Sequence, residues 1–227
     1  MVKYTSQPVS LPAGRWTPHR VRLAGSAGIL GAPLLFAYIT ISTIVQAQGA
    51  VPVWHEIGSL PYYMGEGSLF LAWTGMFAGF VALRARMLGA DDRLWRIGVD
   101  LAVIGSAMAA VGFLVVTAAP AVGAVEVVDP GNAVIGLGLM IFINVGALLM
   151  GVSLLRTGML PKLVAGLLIL VLPATLLAGP VGEALGLGPI VGAIMIAPFV
   201  AAVALLGEYL RSETPDDAVR LEEVPDA

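Results

Sequence analysis

The chain has 227 residues, of which 58% are hydrophobic and only 12% are charged, with a net charge of −3 and no cysteine. A soluble protein carries about 25% charged residues, so this much apolar surface predicts an integral membrane protein. The absence of a basic block gives no sign of nucleic-acid binding, and the absence of cysteine excludes disulfides, thiolate chemistry, iron–sulfur clusters and Cys-ligated zinc.

The first twenty residues are polar and lack the apolar core and cleavage site of a signal peptide, so we predict a cytoplasmic arm at residues 1–20. Six apolar windows of about 18 residues or more follow this arm. They predict an all-α fold, a polytopic membrane bundle of six transmembrane helices at residues 21–210, followed by an acidic cytoplasmic tail at residues 211–227. The predicted spans cover about residues 21–46, 67–86, 97–119, 132–155, 162–178 and 188–210. Prolines that mark the joins are Pro61, Pro120, Pro130, Pro161, Pro180 and Pro189.

Lysine and arginine all fall on one side of this arrangement. They are Lys3, Arg15, Arg20, Arg22, Arg84, Arg86, Arg93, Arg96, Arg156, Lys162, Arg211 and Arg220. The other side has no lysine or arginine, and its acidic residues are Glu56, Glu66, Glu126, Asp129 and Glu183. Because positively charged segments stay in the cytoplasm, we predict a multi-pass protein of the cell membrane with both termini cytoplasmic.

Small residues recur within the spans at helical spacing. Lipid tails are as apolar as leucine, so helices in a bilayer associate through close packing of small residues. The residues are Gly25, Gly28 and Gly31 in the first span, Gly75 and Gly79 in the second, Ala102, Ser106 and Ala110 in the third, and Gly136, Gly138, Gly146 and Gly151 in the fourth. We predict that they form contacts within the bundle. The alternative is that they contact another membrane protein or a second copy of this chain. The lipid bilayer itself is the other predicted partner.

An acidic residue, Glu66, lies between two glycines at the start of the second span, in the stretch YYMGEGSLF. Helical periodicity places it on one face with bulky residues and places Gly75 and Gly79 on the opposite face. The bulky residues are Phe70, Trp73, Phe77, Phe80 and Arg84. We interpret this face as a lipid-facing stripe, with Glu66 at the headgroup level beside the helix N-terminus. The alternative is a buried proton or ligand site.

The loop at residues 47–65 combines aromatic residues with a histidine and a carboxylate: Trp54, His55, Glu56, Tyr62 and Tyr63. We interpret it as an interfacial segment whose rings anchor at the headgroups. The alternative is a lid in which His55 and Glu56 form a pH-sensitive or metal-contacting pair.

Three polar residues lie at a similar depth in three spans: Ser106, Asn144 and Thr175. A side-chain amide in hydrocarbon needs hydrogen-bond partners, so we predict interhelical hydrogen bonds. The alternative is a polar contact in a ligand cavity. Pro173 and Pro198 interrupt the last two spans and would place such a cavity between them and the fourth span.

No catalytic residue, metal site or cofactor is predicted. The two histidines, His19 and His55, lie outside the spans, which excludes bis-histidine haem and HExxH-type zinc within the bundle. Lysine is absent from the span interiors, which argues against a retinal Schiff base. Asp91 and Asp92 adjoin one another between arginines, and we interpret them as part of a solvated loop.

The run at residues 144–177 contains the turn RTGMLPK, in which Arg156 ends a helix, Gly158 caps it and Pro161 opens the next. A docking site here for a partner or an anionic lipid is the functional alternative. With Gly166, this pattern resembles that of uncharacterised microbial multi-pass membrane proteins of the domain-of-unknown-function type. The resemblance implies an architecture of about six helices and carries no activity.

Three function classes follow. The first is an accessory, assembly or regulatory membrane component without a catalytic role. The second is a carrier or binder of a small apolar or lipid-like molecule in an intramembrane cavity. The third is a membrane enzyme acting on a lipid or isoprenoid, which would need more convergent polar groups than the sequence offers.

Overall fold

The computed structural model describes residues 17–50, 52, 55–86, 92–158, 160–186 and 190–212. The greater part of the predicted arm, the predicted tail beyond residue 212, Trp54, Asp91 and Pro189 lie outside the described residues. Within that part the chain is almost entirely helical and contains no strand.

Six helical spans are long and apolar enough to cross a membrane, which confirms the predicted all-α membrane bundle. Five of them are single helices: α1 (Pro18–Ala47), α2 (Leu60–Arg86), α3 (Arg93–Ala118), α6 (Lys162–Ala184) and α7 (Val191–Ser212). The fourth span lies between α3 and α6 and has three segments, α4 (Val128–Leu137), a π-helical segment (Gly138–Ile143) and α5 (Asn144–Thr157). Short 3₁₀ turns join α3 to α4. The side of the membrane on which the termini lie stays a prediction.

Two helices extend furthest beyond their predicted boundaries, by six or seven residues. Helix α2 begins seven residues early, because Ser59 Oγ accepts a hydrogen bond from the Tyr62 amide at 3.1 Å and Pro61 falls in the first turn, where proline is tolerated. Helix α6 continues through Pro180 to Ala184, so the proline lies within the helix and does not end it. Prolines are tolerated inside membrane helices when neighbouring groups satisfy the freed backbone.

The helices form a closed ring. Each span packs against the spans before and after it in the chain, and α1 packs against α7. Large side chains fill the centre, including Trp73 and Met76 of α2, which are almost fully buried. Trp73 stacks on Phe199 of α7 with ring centroids 5.9 Å apart and planes at 23°. Since α2 and α7 are not adjacent in the ring, this stack bridges its interior.

A glycine seam joins α3 to the fourth span through Gly98 with Gly146, Gly105 with Gly138, and Gly112 with Gly131. A Cβ atom built on Gly105 would lie 2.8 Å from the Gly138 carbonyl oxygen, and one built on Gly138 would lie 2.8 Å from the Gly105 carbonyl oxygen. A Cβ built on Gly146 would lie equally close to the carbonyl oxygen of Gly98. Such backbone-to-backbone approach is possible only without side chains.

The spacing of this seam explains the π-helical segment. Along α3 the glycines are seven residues apart at both steps, whereas in the fourth span the second step, from Gly138 to Gly146, is eight. A π turn is wider than an α turn and absorbs one additional residue. The segment Gly138–Ile143 lies within the longer step and thereby keeps both ends of the seam in register.

Most of the predicted small-residue contacts are confirmed. Gly75 approaches Ala27, Gly31 approaches Ala72, and a Cβ on Gly25 would lie 2.8 Å from the Gly207 carbonyl oxygen. Gly151 packs in the same way against α6. Gly136 is different, because nothing lies within 4 Å of its Cβ position.

Candidate functional site

The core-facing residues of α2 form one stripe along the helix, and Glu66 belongs to it. The stripe consists of Tyr62, Glu66, Leu69, Trp73, Met76 and Phe80, spaced alternately by four and three residues. Glu66 is partly buried and the others are buried. The interpretation of this face as lipid-facing is therefore wrong: Trp73 is 1% exposed and Phe80 3%. Periodicity identifies a bulky face, but core and lipid are both apolar, so it does not show which of them the face contacts.

Glu66 also lies deeper than the headgroup position expected from sequence. Helix α2 starts at Leu60, so Glu66 is in its second turn and does not cap the N-terminus. The span Leu60–Ala85 has its midpoint between Ala72 and Trp73. At 1.5 Å per residue Glu66 is about 10 Å from that midpoint, while the hydrocarbon core extends about 15 Å to each side. The Cα atom of Glu66 is therefore inside the apolar layer when the span is centred in it, and its side chain leans from there toward the helix N-terminus.

Tyr38 of α1 donates a hydrogen bond from its hydroxyl group to Glu66 Oε1 at 3.5 Å. The close approach of Gly31 to Ala72 brings the two helices together about two turns away along each helix. Within the described part of the chain, Glu66 Oε2 accepts no hydrogen bond. One carboxylate oxygen is thus engaged at long distance, and the other is available.

Tyr62 lies one turn from Glu66 and fixes α2 to α3. Its buried hydroxyl group donates to the Val116 carbonyl oxygen at 2.8 Å, and its ring meets that of Tyr63 edge to face at 5.6 Å. The predicted headgroup anchor is therefore wrong for Tyr62, which is 3% exposed. With α1 on one side and α3 on the other, the backbone that carries Glu66 is held in place before any ligand arrives.

His55 and Glu56 are exposed in a turn that precedes α2. Their backbone groups form turn hydrogen bonds, from the His55 amide to the Pro52 carbonyl oxygen at 2.9 Å and from the Ser59 amide to the Glu56 carbonyl oxygen at 3.0 Å. No hydrogen bond or ion pair in the described residues brings their side chains to Glu66. Within the described part of the chain, no group of three or more histidine, aspartate or glutamate side chains could hold a metal ion.

Asn144 and Thr175 form the predicted interhelical hydrogen bond. The Thr175 hydroxyl group lies 2.9 Å from Asn144 Oδ1 and 2.9 Å from the Val171 carbonyl oxygen. Asn144 Nδ2 donates to the carbonyl oxygens of Leu139 and Met140 in the π-helical segment, at 2.9 and 3.3 Å. The side-chain amide therefore donates to two backbone carbonyl groups within the wide turn.

Ser106 does not join this pair. Its hydroxyl group is fully buried and donates within its own helix to the Ala102 carbonyl oxygen at 2.7 Å. The predicted interhelical bond is thus confirmed for Asn144 with Thr175 and wrong for Ser106.

A small crevice lies between α1, α2 and α7. Its volume is about 10 Å³, about the space that a single water molecule requires. Glycines and apolar side chains line it, including Gly28, Gly79 and Phe80. The sequence predicts any ligand cavity between the fourth, fifth and sixth spans. The crevice lies elsewhere, between the first, second and sixth spans.

Asp92 links α3 to α5, a contact that the sequence interpretation missed. Its Oδ1 caps α3 by accepting from the Leu94 amide at 2.9 Å, and its Oδ2 accepts from the Ser153 hydroxyl at 2.6 Å. The hydrogen bond from Ser153 is the main cause that lowers the pKa of Asp92 below its ordinary value, and the amide bond and the nearby Arg156 act in the same direction. Aspartate before an apolar helical run is a usual N-cap signal, so the cap could have been predicted and the partner could not.

The turn between α5 and α6 has the geometry predicted for RTGMLPK. Gly158 has a left-handed conformation with φ of 66°, and its amide donates to the Leu154 carbonyl oxygen at 2.9 Å. The resemblance of this region to uncharacterised multi-pass membrane proteins stays a prediction about architecture. Comparison with protein-family models, with curated proteins and with solved structures finds no match for this chain.

Proposed function

We propose that this protein binds or carries a small, mostly apolar molecule and that Glu66, which is partly buried where α2 contacts α1, is the polar anchor for it. One observation supports the proposal: Glu66 lies on the core-facing stripe of α2, at a depth that falls within the apolar layer when the span is centred in it, with one carboxylate oxygen held by Tyr38 and the other without a partner among the described residues. Ionisable residues at such depth are costly, and in membrane proteins they mark substrate, ion or proton pathways.

The surroundings of Glu66 define the chemistry of the ligand. The residues around Glu66 are apolar: Leu69 and Trp73 follow it on the stripe, and Phe70, one turn away, packs partly buried against the core. A carboxylate oxygen accepts hydrogen bonds and attracts positive charge. We therefore expect a ligand with one hydrogen-bond donor or cationic group on a largely apolar body.

This location changes the order of the three function classes. A headgroup position for Glu66 would have favoured an accessory or assembly component. A core-facing position supports a carrier or binder, so we rank that class above both the accessory role and the lipid or isoprenoid enzyme.

Native mass spectrometry of protein extracted gently from its own membrane tests the proposal. We expect a small-molecule adduct on the unaltered protein, loss of the adduct in Glu66→Gln, and its retention in Glu183→Gln. Glu183 is a suitable control because it is exposed near the end of α6, on the same side of the bundle. A protein without an adduct, or an adduct that persists in Glu66→Gln, would contradict the proposal.

A further inference from the structure

All described lysine and arginine residues lie at one end of the bundle. Four of these cationic side chains form an exposed group there. They are Arg93 and Arg96 of α3, Arg156 of α5 and Lys162 of α6, here called the basic cluster. None of them forms an ion pair within the described part of the chain. Two other arginines at this end differ: Arg84 pairs with Asp100, and Arg211 pairs with Glu208 at 2.9 Å.

The fold brings Arg93 and Arg96 at the start of α3 close to the end of α5 that carries Arg156. The hydrogen bond of 2.6 Å between Asp92 and Ser153 joins the start of α3 to the last turns of α5. Arg93 follows Asp92 directly, and Arg156 lies one turn beyond Ser153, close enough to act electrostatically on Asp92. A short turn that contains Gly158 then leads from Arg156 to Lys162 at the start of α6.

The basic cluster has an excess of positive charge. Among the described residues, the Asp92 carboxylate beside the cluster already accepts hydrogen bonds from Ser153 and from the Leu94 amide, and Asp100, one turn after Arg96, pairs with Arg84. Arg93 and Arg96 are neighbours at i, i+3 on α3, and like charges within a Debye length of about 8 Å repel one another in physiological salt. An anion bound among them would relieve this repulsion.

The residues beside the basic cluster indicate what kind of anion fits. Next to its cations lie exposed apolar side chains: Ile97 is 39% exposed, Leu155 49% and Leu163 64%. The cations occupy the first or last turn of a membrane-spanning helix, which is the headgroup level, and these apolar side chains begin the lipid-facing surface. A phospholipid presents a phosphate at that level with acyl chains beside it, whereas a soluble anion or an acidic protein segment would leave the apolar residues unmatched.

We propose that the basic cluster binds the headgroup of an anionic phospholipid, with the phosphate between Arg96 of α3 and Arg156 of α5, Lys162 as a further charge at the start of α6, and an acyl chain against Leu155. Arginine binds phosphate through its planar guanidinium group, and lysine acts as a point charge. Basic groups between membrane helices are a known type of lipid site. This site is independent of Glu66, which lies in the other half of the bundle.

Native mass spectrometry of the full chain released from nanodiscs of equal phosphatidylglycerol and phosphatidylcholine tests the site. We expect phosphatidylglycerol to be retained in preference to phosphatidylcholine. Each basic side chain near a membrane surface contributes about fivefold to the binding of anionic lipid, so Arg156→Gln should reduce the ratio of bound phosphatidylglycerol to phosphatidylcholine by about fivefold. Arg211→Gln removes the same charge from an ion-paired residue at the same end and should change the ratio less than twofold.

Arg96→Gln provides a second variant on a different helix, with the same expected loss, in case the change at Arg156 prevents purification. Equal retention of the two lipids by the unaltered protein would overturn the proposal. An equal loss in Arg211→Gln and the cluster variants would do so too, since it would show general attraction to charge and not a site. Copurification of an acidic protein that the same substitutions release would also overturn it, in favour of a protein partner.

Discussion

Gly105→Ala adds one methyl group where α3 meets the fourth span most closely. The new Cβ would lie 2.8 Å from the Gly138 carbonyl oxygen and 2.9 Å from side-chain carbons of both Ile143 and Phe142. Ordinary contacts of a Cβ atom begin near 3.4 Å. The helices would therefore have to separate by about half an ångström along a seam built from paired glycines.

The expected loss of stability follows from two opposed contributions. Overpacking of a well-packed core costs about 1–3 kcal/mol, and replacing glycine by alanine in a helix stabilises it by at most about 1 kcal/mol. We expect Gly105→Ala to lower the free energy of unfolding by about 1–2 kcal/mol. Gly136→Ala is the matched control, because it gains the same helix propensity where nothing lies within 4 Å of the new atom.

Unfolding of the purified protein in mixed micelles of increasing SDS content, followed by circular dichroism, measures both variants. Gly105→Ala should unfold at lower SDS content than the unaltered protein, and Gly136→Ala at the same or higher content. Equal midpoints for the two variants would refute the reasoning, because they would show that the close backbone approach contributes nothing specific.

Three further predictions concern other contacts. Ser153→Ala removes the hydrogen bond that contributes most to lowering the pKa of Asp92 below its ordinary value of 3.8. The stability from this bond is present above the ordinary pKa and is lost as pH falls through the lower folded-state pKa, so thermal melting should show a deficit of about 1 kcal/mol at pH 7 that shrinks as the pH is lowered below 3.8. Deletion of Met140 restores a seven-residue glycine spacing and should be tolerated in SDS unfolding better than a one-residue deletion at the same depth of α3. Tyr38→Phe removes the hydroxyl donor to Glu66 and should weaken a native-mass-spectrometry adduct about tenfold without lowering the melting temperature by more than a few degrees.

The sequence was sufficient for the architecture because spanning helices are determined by length and apolar composition, which a single chain displays directly. The grouping of lysine and arginine at one end followed in the same way, and the structure confirms it for Arg84, Arg93, Arg156 and the other described basic residues. The glycine contacts of Gly75 and Gly31 were also predictable, since small residues at helical spacing indicate close packing.

The candidate site was only partly predictable, for physical reasons. Glu66 was identifiable as an unusual acid, but its burial depends on Ser59 capping α2 a full two turns earlier than the apolar window begins. Its partner Tyr38 comes from another helix, and no pattern in one sequence reports that contact. The π-helical segment was missed because it shows only when the glycine spacings of two packed helices are compared.

The closed ring has a consequence for how the chain assembles as it is synthesised. All of the ring's interfaces except one join helices that are consecutive in the chain, so each can form as soon as the next helix enters the membrane. The contact between α1 and α7 has to wait for the final helix, and until then Gly25 lacks Gly207 and Trp73 lacks the ring of Phe199. A nascent chain that stops before α7 is therefore an open crescent with two unmatched edges, and it is in this form that membrane quality-control proteases would distinguish an incomplete molecule from a finished one.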